Sequence, residues 1–446
     1  MKLSMYNKIL GTNDENLYIL YNSITDIAFL INKKVKETLE MGEFSKLGKE
    51  RIKRFQDAGI IIADNINELE IARKVHENAF HDCTFMQFTI ATTYACNLSC
   101  FYCYQRHEDF YTKSMDKETS ERVIRFIKNQ VTKNNSRGFA ITLYGGEPFL
   151  NFVEGFRIIE SLHKWAKKAG KAFFANACTN GTLLTKDIVK KMKKHSLIDP
   201  KFPTFIVTLD GPKEIHDTIK FYKGGKGSFD DIINNLKIVK KAKLPFVIKF
   251  NVHFKNYVHV KNLVDDLIKM GFKGAQITTS IMVPIFAKLA NSELDFPEVP
   301  NPHRVIIELE KYAIKRGLQI FNEAVLYRGC NCKNLTDGAY VIDPYGDVYK
   351  CWTLMGQQEH KVGTIDNNGY IKNFRSCLLA KRDLFSIEKC KKCPNLLICG
   401  GNCAAFCYLT TGKYQSAICM PNPLIDHIVK VRLRRKYPSK LKNLIY

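Results

Sequence analysis

Acidic residues and long apolar runs are what this sequence is short of. Its 44 Asp and Glu stand against 68 Lys and Arg, a formal net charge of +24. No apolar run approaches the roughly 18 residues of a membrane-spanning helix, so no membrane span is expected. The first residues, MKLSMYNKILGTNDEN, hold neither an apolar block nor a small-residue cleavage site. No secretory signal is read there, and a cytoplasmic protein is the expectation. Basic residues interleaved with aromatics, the usual mark of a nucleic-acid reader, are confined to the tail VKVRLRRKYPSKLKNLIY. The cation surplus therefore suits a lysine-rich solvated face or an acidic peptide partner better than nucleic acid.

Cysteine is what the chain has in quantity. Disulfides are rare in a reducing compartment, so 15 thiols in 446 residues point to metal, redox or catalytic chemistry. With 45% hydrophobic residues the chain can also bury two or three sizeable cores.

Residues 1–83 stand apart. ENLYILYNSITDIAFLI alternates like a strand or hairpin. KKVKETLEMG and KLGKERIKRFQDAGIIIA read as short helices, the second stopped by Gly59. A small α+β domain is expected. Over residues 84–290 a strand, loop and helix recur. The strands are TFMQFTIATTY, FAITLYGG, KAFFANACTNG, PTFIVTLDG, FVIKFNVHF and AQITTSIM. Helical stretches such as DKETSERVIRFIKNQV, KDIVKKMKKH, FDDIINNLKIVKKA and VKNLVDDLIKMG separate them. Six such units predict an α/β fold, a parallel sheet curled into a partial (β/α)6 TIM-like barrel. Right-handed crossovers then place the loops after the strands along one rim. Residues 291–328 form a connector, with the proline-bearing NSELDFPEVPNPH and the helix RVIIELEKYAIKRG. Residues 329–446 are cysteine-dense with few apolar runs, and metal is the expected staple.

The stretch ATTYACNLSCFYCYQ places Cys96, Cys100 and Cys103 directly behind the first strand of the repeat. A zinc site takes four ligands, commonly two CxxC pairs. A cubane 4Fe–4S cluster usually takes four thiolates. CxxxCxxC offers three, so one iron is left open to bind something else. CNLSCFYCY after a first β-strand resembles the signature of the radical SAM enzymes. In them the open iron chelates S-adenosylmethionine, and electron transfer cleaves it to a hydrogen-abstracting 5′-deoxyadenosyl radical. The resemblance places Tyr102 beside the adenine. LYGGEPFL resembles the family's GGEP motif, with Gly145, Gly146 and Glu147 assigned to the amino group of the methionyl moiety. TNGTLL, with Thr179, Asn180 and Gly181, and TLDGPKEIHDTIK, Asp210 to Lys220, resemble the loops around ribose and carboxylate. Relatives often carry Arg where Lys220 stands, and a lysine pairs with a carboxylate without the bidentate fork.

The last segment reads RGCNCKNLTDGAYVIDPYGDVYKCW and then CKKCPNLLICGGNCAAFCYLTTGKYQSAIC. The GxxxxC and CxxCxxxxxCxxxC spacings resemble the SPASM extension of radical SAM enzymes, which holds two auxiliary 4Fe–4S clusters. The resemblance assigns Cys351 and Cys403 to the first cluster, with Cys330 and Cys332 both at its opening position. It assigns Cys390, Cys393, Cys399 and Cys419 to the second. Cys407 has no place in the pattern, and Cys83, Cys178 and Cys377 read as packed residues. Asp343 and Asp347 lie near these cysteines, but acidic turn residues are common, and no general base is assigned.

SPASM-bearing radical SAM enzymes mostly modify peptides or proteins. The resemblance thus implies a maturase of a ribosomally made precursor peptide, forming an intramolecular cross-link, thioether first and carbon–carbon next. S-adenosylmethionine, three 4Fe–4S clusters and a reductant such as flavodoxin or ferredoxin come with it. Residues 1–83 are expected to be a winged-helix-like module that recognises the precursor's leader, an acidic one given the charge. The alternatives are an anaerobic sulfatase maturase, disfavoured by Trp352 after Cys351, and an RNA-modifying radical enzyme, for which no RNA-binding module is found.

Overall fold

The structure, a computed structural model, describes residues 1–105, 112–289, 293–321, 332–441 and 443–445. It divides into two compact units, Met1–His81 with Asn322–Thr336 and Arg382–Tyr446, and Asp82–Phe321 with Asp337–Lys381. The N-terminal residues and most of the cysteine-dense tail thus share one unit.

In that unit β1 (Lys2–Leu3) will pair with a later short strand, and β2 (Asn7–Gly11), β3 (Leu17–Asn22) and β4 (Ile27–Asn32) form an antiparallel sheet in that order. The hairpin expected from alternation is β3–β4. Helices α1 (Lys33–Glu40), α2 (Lys49–Asp57) and α3 (Glu68–Phe80) follow, with β5 (Ile61–Ile62) between the last two, paired to β1. Asn32 caps α1 by accepting the Val35 amide at 2.9 Å. One face of the sheet packs Leu20 and Ile31 against Val35, Leu39 and Phe55 of the helices. The other face packs Leu10, Ile19 and Tyr21 against Val429, Leu433, Leu441 and Ile445. The basic tail, the one candidate for a nucleic-acid reader, is therefore a packing helix, Asn422–Lys436. Its Arg432 and Lys436 each lie 2.9 Å from Asp26.

The second unit carries the repeat. Strands β6 (Phe85–Thr93), β7 (Gly138–Gly145), β8 (Ala172–Thr179), β9 (Phe205–Leu209), β10 (Phe246–Val252) and β11 (Gln276–Ile281) are parallel neighbours in chain order. These are the six strands expected. Beyond β11 lies the short parallel β12 (Gln319–Ile320). On the other side β13 (Ala339–Ile342) joins β6 in parallel and leads to antiparallel β14 (Asp347–Tyr349), β15 (Gly363–Ile365) and β16 (Ile371–Lys372). Among the described residues the sheet thus has eleven strands.

Buried parallel strands ordinarily read as continuous apolar runs. These alternate, because among the described residues of this unit the helices pack one face. Phe88, Ile141, Val207, Ile248 and Ile277 join the helix-covered core. The opposite face carries Thr142, Tyr144, Asn176, Cys178, Thr208, Lys249, Asn251, Thr278 and Ser280. Lys249 sits in register between Thr208 and Thr278. No helix among the described residues is long and apolar enough to cross a membrane.

The shared core of the first unit is testable. Leu433 is fully buried against the N-terminal sheet. Leu433→Ala should cost about 2–5 kcal/mol. Hydrogen exchange should show faster exchange at β2 and β3, some 400 residues away in sequence, as well as in the tail helix.

Candidate functional site

The cysteine loop starts where β6 ends, and the neighbouring strand fixes its first residues. The Gly146 amide donates to the Thr93 carbonyl at 2.9 Å, and the Glu147 amide to the Ala95 carbonyl at 2.8 Å. Gly145 has φ +129°, and a Cβ there would fall 2.1 Å from the Thr93 oxygen. At Gly146 it would fall 2.2 Å from the Ala95 oxygen. Both positions need glycine because two backbones meet there.

Glu147 is fully buried and carries this order to the next strand end. Its carboxylate accepts Thr179 Oγ1 at 2.8 and 2.9 Å, the Asn180 amide at 2.8 Å and the Phe149 amide at 3.2 Å. Burial outweighs these bonds and pushes its pKa up to about 7. Glu147 thus braces the GGEP and TNG loops, its oxygens filled by its own chain. Asn180 then spends its amide on Asn97 Oδ1 at 2.9 Å and Cys96 Sγ at 3.7 Å. The Leu98 amide also donates to Cys96 Sγ, at 3.5 Å.

Cys100 lies within electrostatic reach of Cys96 and Cys103. Burial pushes the Cys100 thiol up to about 12 and the Cys96 thiol to about 11, so both favour the neutral form until a cation arrives. The countercharge is Lys220, 4% exposed. Burial pulls its pKa down, but Asp210 and the thiols Cys100, Cys96 and Cys103 together hold the ammonium above its ordinary value. Its Nζ lies 3.7 Å from Asp210 Oδ2 and donates to Thr208 Oγ1. Asp210 is fully buried and accepts the Tyr102 hydroxyl, which in turn accepts Asn251 Nδ2 at 3.1 Å. Sequence reasoning placed Tyr102, Asp210 and Lys220 at the cofactor. The structure joins them into one buried network.

Several members of this network were missed. His216 Nδ1 accepts the Asp210 amide at 3.1 Å, and its Nε2 meets Ser228 Oγ at 3.1 Å. Burial holds His216 neutral, well below the usual imidazole range. Asn256 Nδ2 donates to the Asp210 carbonyl at 2.7 Å. His216 lies inside the quoted motif. Asn251 and Asn256 follow no spacing that would mark them.

On the polar face the Tyr104 and Tyr144 hydroxyls share a hydrogen bond, with Cys103, Cys178 and Cys351 within electrostatic reach of Tyr104. The Tyr144 ring stacks on Trp352 at 5.6 Å. Cys178 therefore sits on this face beside the tyrosines, rather than in the helix-packed core. Asp343 accepts Tyr94 Oη at 3.0 Å and the Tyr345 and Asp347 amides at 2.9 Å each. It shapes the β13–β14 turn, and burial, with Asp347 adding to it, raises its pKa to about 7.

Of the later cysteines, Cys351 follows β14 in the second unit, while Cys332 and Cys403 belong to the first. Cys330 lies outside the described residues. Cys390, Cys393, Cys399 and Cys419 share the first unit, and Cys390 feels the other three electrostatically. Arg382, unmarked in the sequence, fixes their loop by donating to the carbonyls of Gly400 at 2.7 Å, Asn402 at 2.8 Å, Ser416 at 3.2 Å and Gly401 at 3.3 Å. Cys407 is fully buried, its thiol donating to the Gly401 carbonyl at 3.3 Å, a structural role. No three His, Cys, Asp or Glu side chains among the described residues converge as they would around one ion. A cubane instead sets each thiolate on its own iron. Thiols in mutual reach, N–H groups on one sulfur and a buried ammonium beside them fit such a cluster.

The glycine contact makes a prediction. Gly146→Ala should force the GGEP and cysteine loops apart, costing at least about 1–3 kcal/mol and the iron bound at Cys96, Cys100 and Cys103. Gly224→Ala, where a Cβ meets nothing within 4 Å, should stay within about 0.5 kcal/mol of the parent. Thermal melts and iron assays of the reconstituted proteins check both.

The chain matches the radical SAM superfamily over residues 90–267. It is similar to a cysteine-type anaerobic sulfatase-maturating enzyme of Clostridium novyi, 24% identical over 69% of this chain and 84% of that protein. It is similar to the radical SAM cyclopropyl synthase TigE of Paramaledivibacter caminithermalis, 22% identical over 95% of this chain and 93% of that one. In fold it resembles Streptococcus suis SuiB bound to the precursor peptide SuiA, at 16% identity, 93% and 98% coverage and a TM-score of 0.51. Residues 90–267 of this chain are thus a radical SAM domain.

Proposed function

We propose that this protein is a radical SAM maturase of a ribosomally made precursor peptide, forming an intramolecular thioether or carbon–carbon bond. The observation that carries the reading is the cysteine triplet set beside a buried Lys220–Asp210 pair at the ends of β6 and β9. Bound S-adenosylmethionine and its cluster would supply hydrogen-atom abstraction from a substrate residue. Cys96, Cys100 and Cys103 would hold that cluster, with Asn180 and the Leu98 amide on one of its sulfurs. Lys220 offsets the cluster's negative charge and offers its ammonium to the cofactor carboxylate. Tyr102, oriented by Asp210 and Asn251, presents its ring to the adenine. Gly145 and Gly146 admit the cofactor's amino end, while Glu147 holds Thr179 and Asn180 in place from behind. We assign Cys390, Cys393, Cys399 and Cys419 to an auxiliary cluster. For a further cluster at Cys330, Cys332, Cys351 and Cys403 we keep the assignment that the SPASM resemblance implies.

The N-terminal sheet supports the peptide substrate. Among the described residues β4 pairs only with β3, so its outer edge is a template for an added strand. Leu30 on it is 42% exposed, and Lys33, Lys34 and Lys36 follow, which suits an acidic leader. The similarity to TigE runs over nearly the whole chain, whereas that to the sulfatase maturase covers 69% of it. A cytoplasmic site of action follows from oxygen-sensitive clusters and their need for a reductant.

Two experiments test this reading. Cys100→Ala should abolish 5′-deoxyadenosine formation and remove about four of roughly twelve irons per reconstituted chain. Cofactor cleavage persisting in that variant sinks the triplet assignment. Leu30→Glu should weaken binding of the cognate precursor at least tenfold, read by anisotropy, with 5′-deoxyadenosine formation in the absence of peptide unchanged. Equal affinity would make residues 1–83 a structural cap.

A further inference from the structure

Tyr6 lies between β1 and β2 and is 0% exposed. Its backbone is pinned, the amide donating to Ser4 Oγ at 3.2 Å and the carbonyl accepting the Ser23 amide at 3.1 Å. Its ring packs with Ala72, Leu384, Phe385, Cys390, Leu396 and Ala417. The hydroxyl has no hydrogen-bond partner among the described residues. A buried hydroxyl left so is destabilising, and phenylalanine would fill the same space without that cost. Glu68 and Cys393 are the ionisable groups within electrostatic reach of the hydroxyl. Glu68 is already engaged, accepting Ser4 Oγ and the Met5 amide. That leaves the neighbourhood of Cys393.

We propose that the Tyr6 hydroxyl donates a hydrogen bond to a sulfur of the cluster held by Cys390, Cys393, Cys399 and Cys419, at or beside Cys393. The inference rests on the auxiliary-cluster assignment made above. A donor on a cluster sulfur favours the more negatively charged reduced state and raises the potential. The neighbouring strand supports the same loop. Lys8 Nζ donates to Asn395 Oδ1 at 2.8 Å, and the Asn395 carbonyl accepts the Cys399 amide at 2.7 Å. The N-terminal module is thereby part of the cluster's housing, and Tyr6 is a positioning and tuning residue that leaves the substrate untouched.

The test uses the full chain, anaerobically reconstituted, with Tyr6→Phe. Iron per chain should match the parent. In an EPR-monitored redox titration the midpoint of one auxiliary cluster should fall, by roughly a tenfold change in the one-electron equilibrium, about 59 mV. The iron-free variant should melt no lower than the iron-free parent, whereas the reconstituted variant should lose stability against its parent. An unchanged midpoint, with equal melting shifts in both forms, overturns the proposal. Should Tyr6→Phe fail to retain iron, 3-fluorotyrosine incorporation decides instead. The more acidic phenol is a stronger donor and should raise the same midpoint, and no shift overturns the proposal. Cys390→Ala/Cys393→Ala separates this from the underlying reading. It should lose about four irons, and if it loses none, the cluster assignment itself is wrong and the proposal falls with it.

Discussion

The arrangement of the rim depends on one backbone contact, the glycine pair at the end of β7 laid against Thr93–Ala95 at the end of β6. A side chain at Gly145 or Gly146 would occupy the space of a carbonyl oxygen. Because the two chains touch there, the amides of Gly146 and Glu147 can bond the first residues of the cysteine loop. Glu147 is then directed inward, where the β8 loop can reach its carboxylate beside the Phe149 amide. Thr179 and Asn180 do so, and Asn180 returns to Cys96. Three loops far apart in sequence are closed into a ring by these five contacts, each of which presupposes the glycine pair.

Charge is organised as strictly as backbone. The buried lysine at position 220 is tolerable because Asp210 stands 3.7 Å from it and Thr208 accepts from it. Removing one partner of such a pair costs about 3–5 kcal/mol, since the other is left uncompensated. A compact ammonium reaches Thr208 and Asp210 while remaining within reach of all three thiols. The planar fork of an arginine would demand in-plane acceptors instead. The lysine at this position is thus matched by its surroundings.

The strand ends were legible in the sequence because period-two alternation and the glycines of GGEP, TNG and LDG mark them together. The same alternation also held a meaning that reading it for strands alone did not draw out. In parallel strands, alternation implies that one face lacks a helix cover, and that face is where Thr142, Asn176, Lys249 and Asn251 lie. Glu147 was read as a ligand for the cofactor because the motif does not record that Thr179 and two amides already fill it. His216, Asn256 and Arg382 act through single contacts to backbone, which leave no periodic trace. β13 to β16, strands of two to four residues, are too short to show a pattern, so the extension of the sheet beside β6 could not be foreseen.

The hardest feature to read was the pairing of the two chain ends. Lys and Arg crowd the tail so densely that its apolar stripe, Val429 and Leu433, is masked in composition, yet that stripe covers Leu10, Ile19 and Tyr21. The N-terminal residues in turn fill the core around Cys390 with Tyr6 and anchor Asn395 with Lys8. Neither end could bury its apolar face without the other. A truncation before residue 82 would therefore remove the N-terminal sheet and uncover the tail helix and the Cys390 loop. The N-terminal sheet and the environment of Cys390 are consequently parts of one core, and any change that loosens the sheet must be felt at that thiol.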